Sequence, residues 1–119
     1  MVILLIDWII LYERHVSPDE LMLSGKLPDS TSYQLQHSIA TSLAYELSRS
    51  QNHPDYPTLF VNVLSIALQM ETEIAIAMLR ALLTDHKVMV PLQHSAVQTA
   101  WGKVFATGKI GNAINLCVS

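Results

Sequence analysis

The side chains able to do chemistry in this chain are scattered. Five histidines stand at His15, His37, His53, His86 and His94. None is spaced to share a metal: there is no H-x3-H pair and no H-E-x-x-H, and neighbours such as Asp85 and His86 diverge on a helix. Exposed or helix-capping roles account for them. Glu71 and Glu73 look like paired carboxylates, but at i and i+2 they point apart, and two acids suit the positive end of a helix instead. Gly108 and Gly111 are not followed by Lys-Ser/Thr and no strand precedes them, so they make no phosphate loop. No nucleophile elbow surrounds any serine. Cys117 is the single cysteine. It cannot form an internal disulfide, which points to a reducing, cytoplasmic setting, and its apolar surroundings read as packing. These residues predict no catalytic, metal or cofactor site.

Composition points to an interface. Half of the 119 residues are hydrophobic and 14% are charged, with a mean hydropathy of +0.32. An average soluble domain carries roughly 25% charged residues, so few charges keep this surface apart from other proteins. Disorder is excluded on the same numbers. The net charge is -3, and no Lys/Arg cluster makes the basic face that nucleic acid needs, so DNA is not an expected partner. Charge is uneven, however. Residues 1–60 hold seven acids and three bases, and after Asp85 only Lys87, Lys103 and Lys109 remain. A helical adaptor binding RNA along residues 87–119 is one alternative that this asymmetry leaves open.

The elements follow from caps and periodicity. Ser17-Pro18-Asp19-Glu20 has a serine N-cap, proline at the first helical position and a glutamate three residues on, a capping box. Its helix ends near Ser24-Gly25. The next starts around Asp29-Ser30; Leu35, Ile39, Leu43 and Leu47 recur every four residues beside Ala40 and Ala44, with Gln36, Ser38 and Glu46 elsewhere on the wheel. Asp55-Tyr-Pro-Thr opens a third helix striped by Leu59, Phe60, Val63, Leu64, Ala67 and Leu68. Glu71-Thr-Glu73 breaks it before Ile74, Met78 and Leu82 resume, a hairpin with a tight connection. Val88-Met-Val90 reads as extended or loop. Leu92, Val97, Trp101, Val104 and Phe105 mark another helix, Gly108–Gly111 a turn, and Asn112 to Val118 a final helix.

The opening Met1–Tyr12 has β-branched residues at Val2, Ile3 and Ile6 that favour a strand. No second strand exists to pair with one, so the segment reads as helical. Asp7 interrupts it and it is too short to cross a bilayer. The expected fold is therefore all-α: one domain over 1–119, with five to six helices. An apolar helix and a short capped helix occupy 1–28, and stacked hairpins occupy 29–119, as a small bundle or short α-solenoid.

A shift of 38 residues aligns the last two hairpins, placing Leu59 on Val97, Ile66 on Val104, Ala75 on Ala113 and Ile76 on Ile114. With Gly102, Phe105, Gly108 and Ala113 across its turn, the stretch 57–118 resembles tetratricopeptide-like helical-hairpin repeats. That resemblance implies a scaffold that holds other macromolecules. A second resemblance runs through Ile3-Leu-Leu-Ile-Asp7 and the segment around Glu46, which look like the acidic motifs of PIN-domain nucleases. It implies a parallel sheet and a divalent metal held by Asp7 and Glu46, with Asn112 where the family would carry a further acid.

The expected function is non-catalytic: an interaction or assembly module burying an apolar helical face against a protein partner or a copy of itself. Ile3, Trp8, Leu11, Tyr12 and Trp101 are its candidate interface residues, because Trp and Tyr dominate interface hot spots.

Overall fold

The computed structural model describes Leu11 and residues 16–118, with side chains described as far as Ile114. Among these residues there are six α-helices and no strand: α1 Pro18–Ser24, α2 Tyr33–Ser48, α3 Tyr56–Gln69, α4 Thr72–Arg80, α5 Ser95–Ala106 and α6 Gly108–Val118. The all-α reading holds. A parallel sheet, which a PIN-like fold requires, has no strand among the described residues to build it.

Local signals start most of these helices. The Ser17 hydroxyl accepts from the Glu20 amide and Pro18 opens α1. Gly25 closes it in the left-handed region at φ 67, where a side chain is strained and a Cβ would in addition press on Asn62. One boundary differs from expectation. The Asp29-Ser30 pair forms a turn, with Ser30 at φ 58, and the cap of α2 is Ser32, whose hydroxyl accepts from the Leu35 amide.

Helices pack in two layers. In the first, α1 lies on α3 and α3 on α5; in the second, α2 lies on α4 and α4 on α6. Within each sequential pair the two helices also touch, giving three hairpins stacked side by side. The radius of gyration, 13.3 Å, is close to the ~13.5 Å of one compact domain this long, so the stack is short.

The core runs between the layers. Ile39, Leu43 and Leu47 of α2 meet Phe60, Val63 and Ile66 of α3, and Ile74, Met78 and Leu79 of α4; all are fully buried or nearly so. Toward its end α4 widens into a π turn over Ala81–Asp85, closed by the His86 amide donating to the Ala81 carbonyl at 2.8 Å. Thr84 donates to the Arg80 carbonyl at 2.6 Å, a side-chain bond that competes with the helical ladder.

Two expectations change at the last hairpin. Gly108–Gly111 is the first turn of α6, and the break between helices is Thr107 alone. Gly111 is buried and a Cβ there would collide with the Phe105 carbonyl. Glycine therefore lets α6 leave α5 at once, and Gly111, not Ala113, is the small residue at the close approach. Under a shift of 38 the first helices pair buried residues at Leu59 and Val97 and at Ile66 and Val104. In the second helices burial matches at a different shift. Ile74, Ala75 and Met78 share their burial with Ile110, Gly111 and Ile114, two residues earlier than that shift puts them, because α5 ends one residue sooner and the connection after it is one residue shorter.

Candidate functional site

Carboxamide side chains position the loops that frame the surface. Gln69, at the end of α3, donates to the Gly25 carbonyl and accepts from the Leu27 amide at 2.8 Å, tying down the α1–α2 loop. Gln36 donates to the Thr31 carbonyl at 3.1 Å and accepts from the Glu71 amide at 2.9 Å, joining α2 to the α3–α4 turn. Gln51 accepts from the Met89 amide at 2.9 Å. Asn62 donates to the Met22 carbonyl at 2.6 Å and holds the last turn of α1 on α3. Each amide replaces water for backbone groups that no helix satisfies.

Two clefts flank α3 on the first layer. Between α1 and α3 lies a cleft of 460 Å³ with Met22 and Leu59 in its floor and Asp19, His53 and Asp55 on its rim. Leu23 stands on its lip and is 74% exposed, the most exposed large hydrophobic side chain among the described residues. Asp55 occupies the N-cap of α3, yet its carboxylate makes no capping bond. Its amide donates to His53 Nδ1 at 3.0 Å, so a neutral His53 carries its proton on Nε2. Between α3 and α5 a second cleft, of 390 Å³, is lined by Val61, Leu64, Leu68 and Ala100, with Lys103 its one charged residue.

A third groove, of 260 Å³, lies on the second layer between α2 and α4. Alanines dominate its walls, and His37, Asp85 and His86 edge it. The His86 ring meets Tyr45 edge-on, centroids 6.5 Å apart. Among the described residues no three of His, Cys, Asp or Glu converge as a metal site.

The residues singled out from sequence take varied places. Ile3, Asp7, Trp8 and Tyr12, with the helix expected over 1–12, lie outside the described residues. Leu11 is helical and fully buried in the core, so it offers nothing to a partner. Trp101 is half-buried and belongs to a ladder of rings: Tyr56 to Phe60 at 5.9 Å, Phe60 to Trp101 at 6.0 Å, Trp101 to Phe105 at 5.3 Å. Its ring locks α5 to α3 first and reaches solvent second. At the ladder's foot the buried Tyr56 hydroxyl donates to the Met89 carbonyl at 2.7 Å, and burial pushes its pKa up to about 12. Glu46 sits in the last turn of α2, its pKa raised by burial first and the nearby Asp19 second, with Arg49 opposing. Asp19 and Arg49 are its charged neighbours among the described residues. Lys103 lines an apolar cleft by itself, while Lys87 follows the π turn and Lys109 opens α6.

The α1/α3 cleft escaped the sequence reading, although one signal was present. Leu21, Met22 and Leu23 are consecutive in a helix of seven residues, and three successive positions cannot all face one core.

No family model matches this chain, and comparison with curated proteins and with solved structures finds no match to either. No helix among the described residues is long and apolar enough to cross a membrane.

Proposed function

We propose that this chain is a non-catalytic interaction module, and that the face made by α1, α3 and α5 is what it presents to a protein partner or to another copy. The carrying observation is the pair of clefts either side of α3, each floored by apolar side chains and each with an exposed leucine, Leu23 or Leu68, at its edge. Large apolar side chains beside concave apolar floors gain free energy when a partner excludes water, about 25 cal/mol per Å² covered. Resemblance of the stretch 57–118 to tetratricopeptide-like hairpins supports the same reading, as does the shortage of surface charge. A cytoplasmic, reducing setting is proposed with it, on the single Cys117.

Site-specific photo-crosslinking tests the proposal. With a benzophenone amino acid at position 23 or 68, irradiation in cell extract is expected to give discrete adducts. The same group at Glu73, exposed on α4 of the other layer, is expected to give none. Equal labelling from all three positions, or none from any, overturns it.

A further inference from the structure

The α1/α3 cleft has a complement on the same molecule. After the π turn the chain runs Lys87-Val-Met-Val-Pro-Leu92 without regular structure. Met89 is 57% exposed and Leu92 45%, and Lys87 is exposed beside them. The loop offers apolar side chains and one cation, Lys87, which follows the exposed Asp85 by two residues, where the cleft is apolar with Asp19 and Asp55 on its rim. It is also held in shape: the Val88 amide donates to the Leu82 carbonyl at 2.9 Å, and Met89 is bonded at its amide by Gln51 and at its carbonyl by Tyr56. A preformed loop loses little freedom on docking.

We propose that the α1/α3 cleft receives this loop from a second copy of the chain, in a two-fold exchange. This rests on the interaction-module reading and names the partner. Loop and cleft share a border, the α2–α3 turn. Gln51 and Tyr56 hold the loop, while Ser50, His53 and Asp55 line the cleft. A two-fold axis near that turn carries each loop to the other copy's cleft, so the contact closes as a dimer and does not propagate. Met89 enters over Met22 and Leu59 beneath Leu23, and Lys87 meets Asp19 and Asp55. The nearby base, Arg49, lies over the Tyr45 ring, 5.4 Å from its centroid, and does not line the cleft. Lys87 takes a left-handed φ of 51 where glycine is the usual residue. A cation thus stands at a position where the backbone itself favours glycine.

Light scattering and sedimentation equilibrium on the full chain test this. The wild-type chain is expected to dimerise, more weakly at high salt. Lys87→Glu sets an acid against the acidic rim of the cleft, and Asp55→Lys sets a lysine on that rim against Lys87. Each alone is expected to weaken dimerisation about tenfold or more, and mixing the two restores it, because the charge at position 87 of each chain then faces the opposite charge at position 55 of the other. Circular dichroism confirms that the variants fold, and Met89→Glu, at an exposed loop position, gives the same loss without touching a helix end. Lys87→Gly is expected to raise the melting temperature yet weaken the dimer. A monomeric wild-type chain, single variants that dimerise unchanged, or a mixture that stays monomeric overturns the exchange. If the chain is monomeric but position 23 crosslinks to a different protein, the second copy is overturned and the interaction-module reading stands. If the chain is monomeric and neither position 23 nor position 68 crosslinks to anything, both fall.

Discussion

Helices α3 and α5 occupy equivalent places in successive hairpins, yet they are buried very differently. In α3, Tyr56, Leu59, Phe60, Val63, Leu64, Ile66 and Ala67 are buried; in α5, Val97 and Val104 are. The cause is position in the stack. Helix α3 packs against α1, α2, α4 and α5, while among the described elements α5 packs against α3 and α6. The sequences already differ accordingly, since α5 alternates its apolar residues with Gln98, Thr99 and Lys103 where α3 keeps Phe60, Val61 and Ser65. Stability in such a stack is concentrated where a helix has neighbours on both sides, and the flank leaves apolar surface partly open.

The most severe way to break the molecule is therefore through α3. Phe60→Ala empties a 1% exposed site at the centre of the ring ladder and is expected to cost about 3–5 kcal/mol in urea unfolding. Phe105→Ala, on the half-buried flank, is expected to cost about 1–2 kcal/mol. Equal losses would mean that the flank is as tightly packed as the centre. The last hairpin has its own point of tension. Gly111→Ala drives a methyl against the Phe105 carbonyl and is expected to cost about 1–3 kcal/mol. Gly102→Ala, in the same hairpin with open space around it, is expected to gain about 0.5–1 kcal/mol. Thermal melts of the two read opposite signs if the α5–α6 approach is as close as described.

Smaller effects sharpen the contrast between loops and layers. Gln36→Ala removes both links between α2 and the α3–α4 turn and is expected to cost about 1–2 kcal/mol, with the Glu71 amide exchanging faster in hydrogen-exchange measurements. The smallest effect follows pH. Burial and Asp19 raise the Glu46 pKa in the folded chain, so the folded state holds that proton more tightly than the unfolded state. Below the unfolded value, about 4.3, both states are protonated and the group is neutral to stability. As pH rises through the folded value, ionisation destabilises the fold. Glu46→Gln is thus expected to raise the melting temperature near pH 7 and to change little at pH 3; an equal gain at both would remove ionisation as the cause.

Much of the fold was legible from caps and period. Ser17, Pro18 and Gly25 bound α1 because N-cap oxygens and left-handed glycines act within a single turn. The apolar fours of Leu35 to Leu47 made α2 readable, and Glu71-Thr-Glu73 marked the break before α4. What misled was polarity taken as a proxy for exposure. Gln36 and Ser38 are buried, Gln36 because the amides and carbonyls of two turns converge on it. Gly108 and Gly111 read as a turn because glycine usually weakens a helix; here the close approach of Phe105 outweighs propensity. Which apolar residues stay exposed was harder still to read. Whether Leu11 or Leu23 is exposed depends on which neighbours arrive, and that is not a local property.

The sequence by itself determined the class of this protein: helices and their order, the shortage of charge, and the absence of clustered catalytic residue types. These follow from hydrogen bonds and side-chain periodicity acting over a few residues. Only the tertiary structure decided which apolar residues were left over. Stacking the first helices of three hairpins opened two clefts beside α3, brought Asp19 and Asp55 to one rim, and held Lys87 and Met89 beside the same turn. Burial is a property of the assembled surface, set by what packs against each helix, so the clefts beside α3 emerged only when the layers came together.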